Sequence, residues 1–286
     1  MAVADVATTA AALAPIDDDV ERGATWARVR GRLMVWVPAG FVALLLITCF
    51  IGPYFLPLPS PVGGDILESG LPVGSPGHPL GTDVNGNDVL SRLIYGGRAS
   101  LTVAIATNAI GLVVGGLIGA LSGYLGGRPD TFIMRALDVL IAFPSLVLTI
   151  AIAQVLGPSL PNTILALTAF SIPAVARIAR SATLRVVNMP FLQAARLSGK
   201  PWWRILLRHI APNITPQMLN FALLGMGIVI VTEGALSFLG MGIPAPEPSW
   251  GNMIYDAQAV AVGHTAAGAV ALAGAAGHGA GVQPPG

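Results

Sequence analysis

Charge is what this 286-residue sequence has least of. Only 10% of its residues are charged while 54% are hydrophobic, against roughly a quarter charged in an ordinary soluble domain, so lipid has to solvate much of the surface. A net charge of +1 excludes the clustered excess of Lys and Arg that a nucleic-acid partner needs. Cysteine is nearly absent. The single Cys49 lies in an apolar run, which excludes an intrachain disulfide framework and a thiolate metal cluster. Lysine is as scarce: Lys200 follows Gly199 but precedes Pro201, so the phosphate-cradling loop ending in Gly-Lys-Ser/Thr is missing and this sequence cannot be its own ATPase. No Gly-x-Ser-x-Gly occurs. His78 and His209 fall in loops and His264 and His278 in an Ala/Gly-rich tail, which leaves an intramembrane serine hydrolase without a base beside its nucleophile.

What is abundant is apolar sequence. A membrane helix needs about 20 predominantly apolar residues to cross roughly 30 Å of hydrocarbon, and five or six such spans are predicted. The first runs from Leu33 to about Leu56 and is too long for a removable signal peptide. The second has Ala99 to Tyr124 as its body, with Gly111, Gly115 and Gly119 at four-residue spacing, a pattern that lets another helix approach closely. From Asp138 to Arg177 no charge intervenes, a length that suits a hairpin of two spans broken at Gly157-Pro158-Ser159-Leu160-Pro161. A fifth starts near Ile214 and runs to Leu239. Residues 257–286 are uncharged but mostly Ala and Gly, so they form either a weak sixth span or an atypical tail. The fold class is therefore all-α and polytopic.

Lys and Arg in short loops mark the cytoplasmic side. The N-terminal tail, residues 1–30, carries Arg22, Arg28 and Arg30, and the segment after the fourth span carries Arg177, Arg180, Arg185, Arg196, Lys200, Arg204 and Arg208 with no acid. Both are expected in the cytoplasm. The loop from Leu58 to Gly97 holds Asp65, Glu68, Asp83 and Asp88, and the loop after the fifth span holds Glu247 and Asp256. Both are expected outside, which sets the N-terminus in the cytoplasm. The acidic, Ala-rich tail before Ala24 reads as disordered.

The basic segment 189–212 reads as two short helices with a bend at Gly199, Pro201 in a first helical turn and Pro212 at a helix end. Trp202, Ile205, Leu206 and His209 recur at i, i+3, i+4 and i+7 beside Arg204 and Arg208, giving an apolar face for lipid headgroups or for a groove on a partner. Gln193-Ala194-Ala195, three residues, Gly199, then Pro212 thirteen residues later resembles the signature loop of binding-protein-dependent ABC import permeases. Gln193 stands where that family usually has Glu, keeping size and hydrogen bonding without the charge.

Further stretches resemble the dipeptide/oligopeptide/nickel branch. These are His78-Pro79-Leu80-Gly81-Thr82-Asp83 with Asp88 to Arg92; Gly123-Tyr124, Gly126-Gly127, Asp130, Met134-Arg135, Asp138 and Ala142-Phe143-Pro144; and Glu233 through Ala235 to Gly240 and Pro248-Ser249-Trp250-Gly251. The likeness covers about residues 30–256, and the permease domain is set at 31–256. The resemblance implies a type I importer permease-like fold in the plasma (inner) membrane and one of two homologous permease subunits forming half of a solute path. It also implies two ATPase subunits or a fused pair, which bind the ATP so that this chain needs no cofactor of its own, and an extracytoplasmic substrate-binding protein. Residues 193–212 would be the coupling helix, and transport would proceed by alternating access. The expected solutes are di- and oligopeptides, with nickel or another small solute as the alternative.

Ionisable residues and helix breaks inside spans are the pathway suspects. Glu233, Pro144 and Pro173 are the candidates for a pathway or gate, while Asp138 is expected to pair with Arg135. His78 and Asp83 fit a turn better than a metal site. An ion-driven secondary transporter would hold midplane ionisable residues and two related halves, neither of which is visible.

Overall fold

The structure, a computed structural model, describes residues 36–258, and every regular element among them is helical. The chain divides into two units, residues 1–52 and 53–286. The first holds helix α1, Trp36–Phe50. Its Thr48 hydroxyl donates to the Leu44 carbonyl, which leaves no hydroxyl unpaired toward lipid. This helix ends at Phe50, and after a turn at Ile51 a single helical turn, Gly52–Phe55, follows, short of the predicted Leu56. The predicted tail 1–30 lies outside the described residues.

The second unit contains α2 (Val89–Leu125), α3 (Gly127–Ile141), α4 (Ser145–Leu156), α5 (Leu160–Val186), α6 (Pro190–Leu197), α7 (Trp202–Phe238) and α8 (250–258). Among the described residues α2, α5 and α7 are each long and apolar enough to cross a membrane, and α3 with α4, bent by 83° at their junction, makes a fourth span if counted as one. The predicted hairpin break is present, with Gly157 in the left-handed region and Ser159 capping α5 by accepting from Asn162 N–H. Its first arm is no straight helix, however, but the bent pair. The doubtful sixth span lies beyond residue 258, outside the described residues.

Two sequence expectations are corrected along α7. Pro212 was expected to end a helix and a span to begin afresh near Ile214, yet one helix runs from Trp202 to Phe238. A π turn over Leu206–Ile210 explains this, since Ala211 N–H reaches back five residues to the Leu206 carbonyl. The widened turn admits a proline ring that a tight α turn would reject. Second, the proposed face of Trp202, Ile205, Leu206 and His209 is split: Ile205 and Leu206 are buried and Trp202 is exposed.

Helix packing follows from small residues. Along α2, Gly111 faces Ser171, Gly115 faces the Ile172 carbonyl and Val175, Gly119 faces the Ala176 carbonyl, and Gly123 faces Thr183, all on α5. A Cβ at Gly119 would fall on backbone that cannot move aside. Lipid is as apolar as a leucine side chain, so close dispersion contact and hydrogen bonding, rather than escape from water, must hold these helices together. The four-residue glycine spacing supplies that contact. Below it lies a core of Ala120, Val175, Ala179, Ala182, Val186, Leu192, Ile205, Ile210, Ile214 and Met218, which joins α2, α5, α6 and α7.

Gly119→Leu is therefore expected to destabilise the chain by more than the usual ~1–3 kcal/mol of overpacking, because its clash is with backbone. Gly227→Ala, inside α7 where a Cβ meets open space, is expected to stabilise the chain by up to about 1 kcal/mol. Thermal melts of the detergent-solubilised variants test the contrast.

Candidate functional site

The basic segment is rooted in the spans on one side and open on the other. Pro190 opens α6, where its missing N–H has no role, and Leu192 and Ala195 point into the core. Gln193 and Ala194 lie on the open side with Arg196, and Gln193 Nε2 donates to the Asn188 carbonyl at 3.3 Å. Gly199 has φ +69° with open space where a Cβ would be. The position demands glycine for its backbone conformation, not for room. Pro201 caps the next helix instead of lying within its first turn, and Ile205, Leu206 and Ile210 carry the chain back into the core shared with α2 and α5.

The open side combines apolar bulk with uncompensated positive charge. Leu197 is 90% exposed and Trp202 54%, numbers that leave both free to enter a groove on another protein. Arg196 stacks over the Tyr124 ring at 4.9 Å and Arg204 over the Trp203 ring at 5.1 Å, arrangements that orient each guanidinium. Lys200 Nζ lies 3.3 Å from His209 Nε2. Arg185, Arg196, Lys200, Arg204 and Arg208 have no carboxylate partner among the described residues, whereas Arg177 pairs with Asp138 and Arg180 with Asp130. The site suits an acidic groove with an apolar floor.

An ion pair that sequence reasoning did not single out sits beside it. Asp130 on α3 accepts from Arg180 Nε and a terminal guanidinium nitrogen at 2.5 Å each, and from the Ser122 hydroxyl at 2.5 Å. Three helices, α2, α3 and α5, thereby meet on one carboxylate. The two residues were visible in the sequence, but a separation of 50 positions has no local periodicity to announce the pairing. Asp138 was expected to pair with Arg135. Its shorter contact is with Arg177 at 2.6 Å, against 3.9 Å to Arg135.

The pathway candidates separate. Glu233 does not present its carboxylate on the surface of the subunit: it is fully buried and accepts from the Ser100 and Ser237 hydroxyls at 2.8 and 2.7 Å, tying α7 to α2. Pro173 is buried inside an unbroken α5, next to Ile172, whose carbonyl faces Gly115. Pro144 lies at the 83° bend and is exposed.

On the opposite side, the acidic loop anchors the start of α2. Asp88 caps the helix by accepting from Ser91 N–H, and Asp83 accepts from Arg92 at 2.8 Å and from Asn87. Arg92 also reaches Asp256 at 3.3 Å. His78 Nδ1 lies 3.0 Å from Asp88 and Nε2 3.3 Å from Glu68. Those two carboxylates, Asp88 foremost, hold the imidazole pKa above its ordinary value.

Two predictions follow from these contacts. A raised folded pKa means that the His78 contribution is complete below about pH 6.5 and is lost as pH rises through the folded value. Hydrogen exchange across residues 65–88 is therefore expected to be slower at pH 5.5 than at pH 8.5, and the difference is expected to shrink in His78→Gln. Asp130→Ala is expected to destabilise the chain by up to about 3 kcal/mol in a thermal melt, the low end of a broken buried pair, because the Arg180 side chain is 34% exposed and water offsets part of the loss.

Comparison with known proteins places this geometry in context. Residues 115–276 match the family described as binding-protein-dependent transport system inner membrane component. The glutathione transport system permease protein of Pectobacterium atrosepticum is 38% identical over 230 residues, covering 79% of this chain and 75% of that protein. The di/tripeptide transport system permease protein of Pseudomonas aeruginosa is 36% identical over 222 residues, 76% of this chain and 73% of its own. The probable D,D-dipeptide transport system permease protein of Escherichia coli is 36% identical over 236 residues, 79% and 78% respectively.

Proposed function

The chain belongs to the family of binding-protein-dependent transport system inner membrane components, and on that premise we propose that it forms half of the path by which an ATP-driven importer carries di- and oligopeptides across the membrane. It is a multi-pass membrane protein of the permease class. The observation that carries the mechanistic reading is the Gly199 turn, whose inner side is continuous with the core of three spans and whose outer side presents Leu197 and Trp202 beside Arg196, Lys200, Arg204 and Arg208, none with a carboxylate partner among the described residues. A partner that pushed on Leu197 would move α6 and the start of α7, and through Leu192, Ile205 and Ile210 would move α5 and α2 together.

ATP is bound and hydrolysed by the partner at that surface, so this chain needs no cofactor and performs no catalysis. A second, homologous permease completes the path, and a substrate-binding protein delivers solute to the face bearing the acidic loop. The basic segment faces the cytoplasm and the N-terminus lies on the same side, as the Lys and Arg distribution requires. Gln193, Ala194, Ala195, Gly199, Trp202, Arg204, Arg208, His209 and Pro212 make up the coupling element, with Gln193 contributing hydrogen bonding in place of a charge. Peptides are favoured over nickel because the relatives are named for glutathione and for di- and tripeptides.

Isolation of the chain from its native membrane by an N-terminal tag is expected to bring an ATPase and a second permease with it; recovery of the intact chain alone would overturn the reading. Gly199→Val places a β-branched residue at φ +69°, a strain of about 1–3 kcal/mol. The variant is expected to insert normally and to lose at least tenfold in dipeptide uptake, while Gly199→Asn, which tolerates the left-handed region, retains more. Uptake by Gly199→Val at the wild-type rate would sink the coupling assignment.

A further inference from the structure

The two ends of α4 treat their backbone polar groups differently. At the end nearer Pro158, the turn is sealed: Asn162 Nδ2 donates to the Leu156 and Gly157 carbonyls at 2.7 and 3.0 Å, and Ser159 caps α5. At the other end nothing is sealed. Pro144 precedes α4 with no side-chain cap, and the N–H groups of Phe143, Ser145, Leu146 and Val147 have no partner among the described residues. Every residue from Ile141 to Val147 is exposed, and α4 buries only Thr149 and Ala153.

Depth makes that opening significant. Pro158 lines a cavity with Arg92, Ser237, Asn252 and Asp256, so this end of α4 lies at the face carrying the acidic loop. The 12 residues of α4 rise about 18 Å, which sets the Ala142–Pro144 break past the midplane of a hydrocarbon layer roughly 30 Å thick. Unpaired backbone is not tolerated against lipid at that depth, where no water can satisfy it, but it is tolerated where it borders a water-filled cavity. The 83° bend keeps α3 from supplying the missing carbonyls.

We infer that the break at Ala142–Pro144 and the exposed start of α4 line the aqueous solute path, with Phe143 and Val147 facing the passing solute rather than lipid. This rests on the permease reading and adds to it the residues that border the path on this subunit. Phe143 lies in the break itself and Val147 in the first turn of α4, and both are exposed. The apolar side chains narrow the path while the unpaired amides beside them keep it hydrated.

The single cysteine makes a direct test possible. In a Cys49→Ser background, Phe143→Cys and Val147→Cys are compared with Ile228→Cys on α7 and Ile105→Cys on α2, two exposed apolar positions within continuous helix. The probe is a membrane-impermeant sulfonated maleimide, which reacts with the thiolate that forms in water and not in hydrocarbon. Labelling is followed in membrane vesicles of both orientations containing the full assembly, with and without a non-hydrolysable ATP analogue, and insertion is checked by immunoblot. At least tenfold faster labelling at positions 143 and 147 than at 228 and 105, in at least one orientation and nucleotide state, is expected. Equal rates at all four positions, or no labelling at 143 and 147 in any state, would overturn the inference. If that happens in a chain that still co-purifies with an ATPase, the permease reading stands and only the lining assignment falls; fast labelling in a chain that binds no ATPase would do the reverse.

Discussion

The close approach of α2 to α5 through Gly111, Gly115, Gly119 and Gly123 is the contact on which the other features depend. It sets the two backbones near enough for Gly119 to lie against the Ala176 carbonyl, a distance at which dispersion and weak polar contacts bind helices that gain nothing from leaving water. Once α2 and α5 are fixed, Ser122 and Arg180 stand on either side of one carboxylate, and α3 is pinned through Asp130. The same pair forms the floor into which Leu192, Ile205 and Ile210 insert. A wider spacing would leave the basic segment attached by loops alone.

A chain with so little charge must place each polar group with care, and the structure shows two solutions. Most are absorbed locally: the hydroxyls of Thr48, Thr149, Thr163, Thr183 and Thr232 each donate to the carbonyl four residues earlier, which removes a donor from lipid without a tertiary partner. A few are spent across helices. Glu233, shared between Ser100 and Ser237, and Asp130, shared between Ser122 and Arg180, are buried acids that tie helices together near opposite ends of the bundle. Arg196, Lys200, Arg204 and Arg208, around the Gly199 turn, have no carboxylate partner among the described residues. The amides at the start of α4 have no partner among the described residues.

Much of the architecture was legible beforehand because its causes are local. Membrane spans announce themselves by apolar length, the Gly157–Pro161 turn by its breakers, and the Gly199 turn by a glycine that the structure holds in the left-handed region. The glycine ladder on α2 was legible as a packing surface, though not its partner. The errors have a common origin. Pro212 reads as a stop because proline normally removes a helical hydrogen bond, and nothing in the sequence encodes a π turn over Leu206–Ile210 that makes room for the ring. Arg135 looked like the partner of Asp138 because three residues is a helical neighbour, while Arg177 comes from another helix.

The sequence by itself determined what the chain must be dissolved in, which loops are basic and which acidic, and that the Gln193 to Pro212 segment resembles an ATPase-contacting loop. Composition and short-range spacing suffice for these because each is a property of one helix or one loop. Only the tertiary structure decided that Glu233 is enclosed, that Pro173 is buried within a continuous helix, that Asp130 belongs to Arg180, and that the start of α4 is exposed. Those facts depend on which faces of separate helices meet, and in lipid that choice is made by side-chain shape and a handful of hydrogen bonds, which no periodicity along a single helix records.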